Sequence, residues 1–281
     1  MSKKHYAVIG HPIGHTMSPF IHKKLFDLAG IDADYTKLDI APERLGDEFE
    51  STLRGLDGYN VTIPHKQAII PFLDSLDDKA KMYGSVNTVS NIDGRAKGYT
   101  TDPDGFIKAI EAAGIDLDGR IMILGCGGVA RTIAYEIALR GKPFEFAVRR
   151  QSVGKAGLLC LDITRKPPET QVSFGLIDQI IGEVDVLMNA TPVGMYPNCD
   201  EQPIHNCAIG RCHAVFDAIY NPLETALVKR AKANGAKAEG GMSMLVWQAV
   251  VAQKHWNGTE FDSEDIKKLC VEAAEEMKNR G

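Results

Sequence analysis

The sequence predicts an α/β protein of two domains, each an open sheet wound with crossover helices, and three observations predict it. Short apolar runs alternate along the chain with helical stretches, the pattern that feeds parallel strands. Ile121-Met122-Ile123-Leu124 is a continuous apolar run, as expected of a strand covered on both faces, and a glycine-rich turn and a helix follow it. The 281 residues also exceed the roughly 150 that one domain commonly uses.

Each element has its own signal. Residues 6–10 read as a strand, and residues 19–29 as a helix closed by Gly30. Residues 35–39 follow as a strand and 43–54 as a helix ending at Gly55. A strand over 58–63 is stopped by Pro64, whose ring cannot continue a central ladder. Residues 85–90 and 96–99 flank Asp93-Gly94, a hairpin turn signal. The second sheet begins at Arg120; its first helix runs through Leu139 and closes at Gly141. Further strands fall at 144–148, 184–189 and 214–217, then an apolar helix at 244–256 and an amphipathic one at 265–278. The expected organisation is a first domain over 1–101, completed by 243–281, with 102–242 inserted as a second.

Composition narrows the function. The hydrophobic share of 44% and charged share of 25% are those of an ordinary globular protein. A net charge of -5 gives no electrostatic reason to expect nucleic acid or an anionic membrane as partner. No apolar segment is long enough to span a bilayer, and residues 6–10 are too short for a signal-peptide core. The six cysteines lack paired spacing and read as the reduced thiols of a cytoplasmic protein. Cys199, His205, Cys207, Cys212 and His213 cluster in sequence without the CxxC spacing of a zinc knuckle, so no metal is expected.

Gly125-Cys126-Gly127-Gly128-Val129-Ala130 fits G-x-G-x-x-G/A between a strand and a helix. The first glycine makes the tight turn, the second lets backbone approach a pyrophosphate, and small Ala130 allows close helix–sheet packing. The expectation is a Rossmann-type, doubly wound domain. Glu145 has the spacing of an acid that holds a ribose 2′-hydroxyl, but it opens its strand. The strand's far edge carries Arg149-Arg150, which suits a 2′-phosphate and so NADP over NAD. In the first domain, small polar residues crowd the strand ends: Thr16, Ser18, Asn60, Thr62, Lys66, Asn87, Thr88, Thr101 and Asp102. Hydroxyls and amides in that number suit a hydroxyl-rich ligand, and a cation with a carboxylate suits proton handling.

Several longer words share one pattern: Gly10-His11-Pro12-Ile13-Gly14-His15-Thr16-Met17-Ser18-Pro19, Asn60-Val61-Thr62-Ile63-Pro64-His65-Lys66, Gly84-Ser85-Val86-Asn87-Thr88 and Thr101-Asp102. Beyond the glycine turn come Asn189-Ala190-Thr191-Pro192-Val193-Gly194-Met195, Asp217 with Tyr220-Asn221-Pro222, and Met244-Leu245-Val246-Trp247-Gln248. In these the chain resembles the shikimate dehydrogenase family nearly end to end. The resemblance implies reversible NADPH-dependent reduction of 3-dehydroshikimate to shikimate, a step toward chorismate and the aromatic amino acids. It implies Lys66 and Asp102 as a catalytic dyad. Thr16, Ser18 and Tyr220 would bind the substrate carboxylate, and Thr62, Asn87 and Gln248 the ring hydroxyls. Gly125, Gly127, Gly128, Val129, Arg149, Arg150 and Thr191 would contact the cofactor, with Gly241 near the nicotinamide. A monomer or homodimer is expected. His11, His15, His22 and His65 receive no role.

Ordinary readings compete. Lys66 could be a surface lysine, Asp102 a helix cap, Tyr220 a turn residue and Gln248 a helix-surface residue. The chain also departs from the family: Thr16 stands for serine, Thr100 for the asparagine before Thr-Asp, and Pro103 for the glycine after it. Gly241-Met242-Ser243-Met244-Leu245 replaces a Gly-Leu-Gly-Met-Leu pattern, and Val148-Arg149-Arg150-Gln151 an Asn-Arg-Thr cofactor loop. Two alternatives follow, a quinate/shikimate dehydrogenase of broader specificity that uses NAD or NADP, and a non-catalytic dinucleotide-binding regulator. Retention of both Lys66 and Asp102 argues against the regulator.

Overall fold

A computed structural model describes residues 3–14, 16–165 and 169–280. His15 lies outside the described residues. The chain divides into two units, Met1–Gly105 with Val246–Gly281, and Phe106–Leu245.

In the first unit, β1 (Lys4–Gly10), α1 (Ser18–Ala29), β2 (Ala33–Asp39), α2 (Leu45–Ser51) and β3 (Gly58–Val61) come first. Then follow α3 (His65–Ala68), β4 (Ser75–Leu76), α4 (Asp78–Tyr83), β5 (Thr88–Ile92), β6 (Arg95–Tyr99) and the start of α5 (Asp102–Ala112). The sheet order is β2-β1-β3-β5-β6-β4. β1 and β3 run parallel, whereas β5 runs antiparallel to β3 and β6 antiparallel to β5. The hairpin turn predicted at Asp93-Gly94 is present, with φ of 51° and 74°, the left-handed pair a type I′ turn requires.

The helix expected over 43–54 is shorter: α2 is flanked by 3₁₀ turns at Pro42–Arg44 and Leu53–Gly55. The strand expected over 58–63 stops at Val61, because the chain turns at Thr62, whose carbonyl accepts the His65 N–H at 2.9 Å. The sequence pattern also failed to show α4, although Asp77 caps it by accepting the Ala80 N–H at 2.7 Å and Gly84 ends it at φ 60°.

The second unit holds β7 (Ile121–Leu124), α6 (Gly128–Leu139), β8 (Phe144–Val148), α7 (Val153–Thr164), β9 (Val172–Leu176) and β10 (Val184–Asn189). It continues with α8 (Asn206–Ile209), β11 (Cys212–Asp217), α9 (Ala226–Ala233) and β12 (Lys237–Glu239). All pairings are parallel, in the order β12-β11-β10-β7-β8-β9. Counted from β7, this is the doubly wound order 3-2-1-4-5-6, and its winding reverses between β7 and β10.

Two last helices, α10 (Met242–Asn257) and α11 (Ser263–Arg280), complete the chain. The expected boundaries fall at the starts of α5 and α10, and the division between units lies a few residues into each helix. Trp256 anchors α10 in the first unit. Its ring stacks on Tyr6 at 4.7 Å and its indole N–H donates to the Val89 carbonyl at 2.8 Å. A Cβ at Gly58 would stand 2.5 Å from that indole nitrogen, so the strand needs glycine there. Truncating such a ring costs about 3–5 kcal/mol.

Candidate active site

The mixed sheet of the first unit explains why distant polar residues meet. β3 and β6 end, and β5 begins, on the same side of the sheet, because the middle strand runs against its neighbours. The loop after β3 leads to Lys66, the residue before β5 is Asn87, and the chain leaving β6 reaches Thr101 and Asp102.

Lys66 Nζ donates to Asp102 Oδ2 at 2.6 Å, with 30% and 21% of the two side chains exposed. The pair is held but the amine stays reachable. Asn87 fixes the carboxylate. Its Oδ1 accepts the Thr101 backbone N–H at 2.7 Å, which can only donate, so its Nδ2 must face the other way. That Nδ2 donates to Asp102 Oδ1 at 2.8 Å and approaches Gln248 Oε1 at 3.4 Å. Behind it, Asn60 donates to Thr88 Oγ1 at 3.0 Å and accepts the Tyr35 hydroxyl at 2.6 Å. Asn87, Gln248, Thr88 and Thr101 are all buried, so Gln248 is no surface residue.

Thr16 and Ser18 form a second cluster, with Thr16 Oγ1 donating to Ser18 Oγ at 3.1 Å and accepting the Ser18 N–H at 3.2 Å. Thr62 sits against Gly10, its methyl 2.6 Å from where a Cβ there would stand. Of the histidines singled out in the sequence, His11, His22 and His65 have structural settings. His65 is buried with Nε2 2.6 Å from the Ile40 carbonyl, and His22 is stacked on Tyr35 at 4.4 Å, burial pushing it down to about 3. His11 pairs with Asp39 at 2.6 Å on the surface.

In the second unit, a cleft of about 410 Å³ opens where the winding reverses, lined by the turn after β7, the loop after β10 and the start of the segment after β8. Gly125, Gly127, Arg149 and Thr191 line it. Gly125 has φ 93°, where an L side chain is strained. Gly127 and Gly128 have nothing within 4 Å of a would-be Cβ, so a ligand can approach the backbone there. Gly127 is the N-cap of α6 and offers no side-chain cap, leaving first-turn N–H groups for an anion. These features fit a dinucleotide pyrophosphate.

Arg149 lines the cleft, whereas Arg150 opens the next 3₁₀ turn outside the lining; Ser152 and Lys155 line it instead. Sequence reasoning missed both. The signal was a lysine in the first turn of α7, where the helix dipole disfavours a cation. The same argument has little force at Lys66, since α3 is one turn long. Glu145 is held by Arg120 at 2.7 Å and lines a different cavity, so it holds no ribose in this cleft. Gly128 and Val129 form the first turn of α6, and Val129 is exposed. Gly241 packs on backbone: a Cβ there would stand 2.3 Å from the Ala218 carbonyl oxygen. Tyr220 belongs to this unit, and burial raises its phenol, which keeps it a hydroxyl donor.

The family model for the shikimate dehydrogenase substrate binding domain matches residues 8–89. A shikimate dehydrogenase (NADP(+)) of Methanocaldococcus jannaschii is 39% identical over 94% of this chain and 95% of its own length. One from Geobacillus kaustophilus is 38% identical over 96% of this chain and 99% of its own length. The crystal structure of a shikimate 5-dehydrogenase of Thermus thermophilus, in complex with NADP(H) and shikimate, matches with a TM-score of 0.85 and 30% identity, over 96% of this chain and 99% of that one. Identity at this level, sustained through both units and the returning helices, means that the chain belongs to the shikimate dehydrogenase family.

Proposed function

We propose that this chain is an NADP-dependent shikimate dehydrogenase, an oxidoreductase that interconverts 3-dehydroshikimate and shikimate. The observation that carries the reading is the 2.6 Å pairing of Lys66 with Asp102, braced by Asn87 and still partly open. The first unit takes the substrate and the second takes the nucleotide on Gly125, Gly127, Thr191 and Arg149, with Lys155 and Ser152 beside the 2′-phosphate. When bound, the nicotinamide supplies or accepts the hydride. Lys66 does the rest at the oxygen: its ammonium hydrogen-bonds the carbonyl as negative charge develops, then releases a proton to it. In the reverse direction the amine takes the hydroxyl proton. Asp102 keeps the amine aimed, and Asn87 keeps Asp102 from turning away. Thr16 and Ser18 offer hydroxyl donors to the carboxylate of the substrate; Thr62 and Gln248 face its ring hydroxyls.

The enzyme works in the cytoplasm, as a monomer or homodimer. Among the described residues no helix is long and apolar enough to cross a membrane. The deciding experiment offers NADP+ and NAD+ in turn with shikimate and quinate, and follows the reduced nicotinamide by absorbance. Turnover with NADP+ and shikimate, lowered about a hundredfold or more in Lys66→Ala, is expected; a wild-type protein inert in all four combinations sinks the proposal.

A further inference from the structure

We infer that Asp217 is a positioning residue for the nucleotide site, a buried carboxylate that ties the wall of the cleft to the loop carrying Tyr220. The inference rests on the NADP-dependent reading and deepens it.

Asp217 is the last residue of β11 and has no exposed surface. Its Oδ1 accepts from Asn189 Nδ2 at 3.0 Å and from the Ile219 N–H at 3.1 Å, and its Oδ2 accepts the Thr225 hydroxyl at 2.6 Å. No ion pair reaches it among the described residues. Burying an unpaired carboxylate is costly, and here that burial pushes the group up to about 6. A carboxylate is nevertheless the side chain that suits the position. Three donors converge on two oxygens, and an apolar residue of the same size would leave a buried amide, a buried N–H and a buried hydroxyl without acceptors.

Each of the three bonds leads to a functional segment. Asn189, oriented by Asp217, presents its Oδ1 to the Thr191 N–H at 3.0 Å and to the Thr191 hydroxyl at 2.7 Å. Thr191 in turn puts its methyl 3.0 Å from where a Gly125 Cβ would be, so this chain of bonds sets the cleft wall against the glycine turn. Ile219 precedes Tyr220, and its carbonyl accepts the Gly241 N–H at 2.9 Å. Thr225 caps α9 by accepting the Val228 N–H at 3.2 Å. One carboxylate therefore sets the loop after β10, the loop after β11 and the start of α9 in a single register.

The test is NADP+ binding by fluorescence titration to wild type, Asp217→Ala, Asn189→Ala and the double variant, beside kcat and KM with shikimate. For a positioning role, Kd and KM for NADP+ rise about tenfold in Asp217→Ala, kcat stays within about threefold, and the double variant is no worse than either single one. A folded Asp217→Ala that binds NADP+ within about twofold of wild type, with only thermal stability or active fraction lowered, overturns the inference. If Asp217→Ala does not fold, Asp217→Asn keeps the shape with one acceptor fewer, and wild-type affinity in that variant overturns it equally. Because the titration reads nucleotide directly, a wild type that binds NADP+ but does not oxidise shikimate would sink the proposed activity and leave the role of Asp217 to be judged by Kd.

Discussion

Replacing Lys66 tests the proposed chemistry most directly. In Lys66→Ala the carboxylate of Asp102 loses its 2.6 Å partner but keeps the Asn87 amide at 2.8 Å, and 21% of it stays open to water. The stability cost should therefore be that of a partly exposed ion pair, about 1 kcal/mol or less. The catalytic cost should be much larger. General acid–base help is worth roughly 10²–10⁴ in rate, or about 3–5 kcal/mol at 1.36 kcal/mol per decade. Lys66→Arg separates two parts of that effect, since a guanidinium keeps the charge but does not release its proton at working pH. If proton transfer dominates, arginine should restore less than about a tenth of the lost rate; if charge alone matters, it should restore most of it. The assay is steady-state oxidation of shikimate with NADP+, with thermal unfolding as a control for folding. A kcat in Lys66→Ala within about threefold of wild type removes this residue from the mechanism, whatever the geometry.

Other perturbations read other parts of the structure. Asn87→Ala strands the buried Thr101 N–H and frees Asp102, so it should cost about 1–3 kcal/mol in urea unfolding and lower kcat as well; loss of neither refutes its bracing role. Arg149→Ala with Lys155→Ala should weaken NADPH about ten- to a hundredfold in titrations while barely changing NADH, and equal losses on both would show that no 2′-phosphate sits there. Gly241→Ala should destabilise the protein by about 1–3 kcal/mol, since its Cβ would meet backbone at 2.3 Å; an unchanged melting temperature refutes that packing argument. The pH dependence of stability tests Asp217, whose carboxyl is raised from 3.8 to about 6. A raised acid holds its stabilising contribution below the unfolded value and loses it as pH climbs through the folded one. Relative to Asp217→Asn, wild type should then lose about 3 kcal/mol between roughly pH 4 and pH 7, and a constant difference in urea unfolding would refute the shift.

The features legible in the amino-acid sequence are those that local rules govern. The four central strands of the second unit announce themselves because parallel strands buried on both faces leave uninterrupted apolar runs, as at Ile121-Met122-Ile123-Leu124, whereas the exposed edge strands β9 and β12 carry no such run and the pattern misses them. The glycine turn is legible because Gly125 needs φ 93° and the nucleotide needs bare backbone. The polar residues of the first unit are legible as a set, but their partnership is not. Nothing local says that Asn87 points its amide at Asp102, or that Gln248, over a hundred residues later, lies against Thr101. Residue roles there come from resemblance, not from periodicity. Lys155 escapes notice for a related reason. The pair Arg149-Arg150 looks like a clamp, yet neighbouring residues diverge where β8 gives way to a 3₁₀ turn, and the second cation of the cleft comes from the next helix.

The two sheets also collect chemistry at their ends by different routes, and the difference bears on what each can hold. A parallel sheet offers one loop per strand at its carboxyl end, separated by whole crossovers, so at its reversal point it presents glycine backbone and a helix terminus. That suits a long anionic ligand bound through phosphates. The first sheet inserts an antiparallel strand, β5, between β3 and β6. The insertion brings an end, a start and another end of laterally adjacent strands side by side, although α3, β4 and α4 lie between β3 and β5 along the chain. Asn60 and Thr88 are direct register partners, as are Thr88 and Tyr99, and Lys66, Asn87 and Asp102 follow from those three passages. Side chains can then hydrogen-bond across adjacent strands with lateral precision that crossover loops rarely give. A small polyhydroxylated ring needs that fixed lateral spacing of donors and acceptors, and an amine acting on one oxygen of it needs a carboxylate that cannot rotate away. The single reversed strand supplies both.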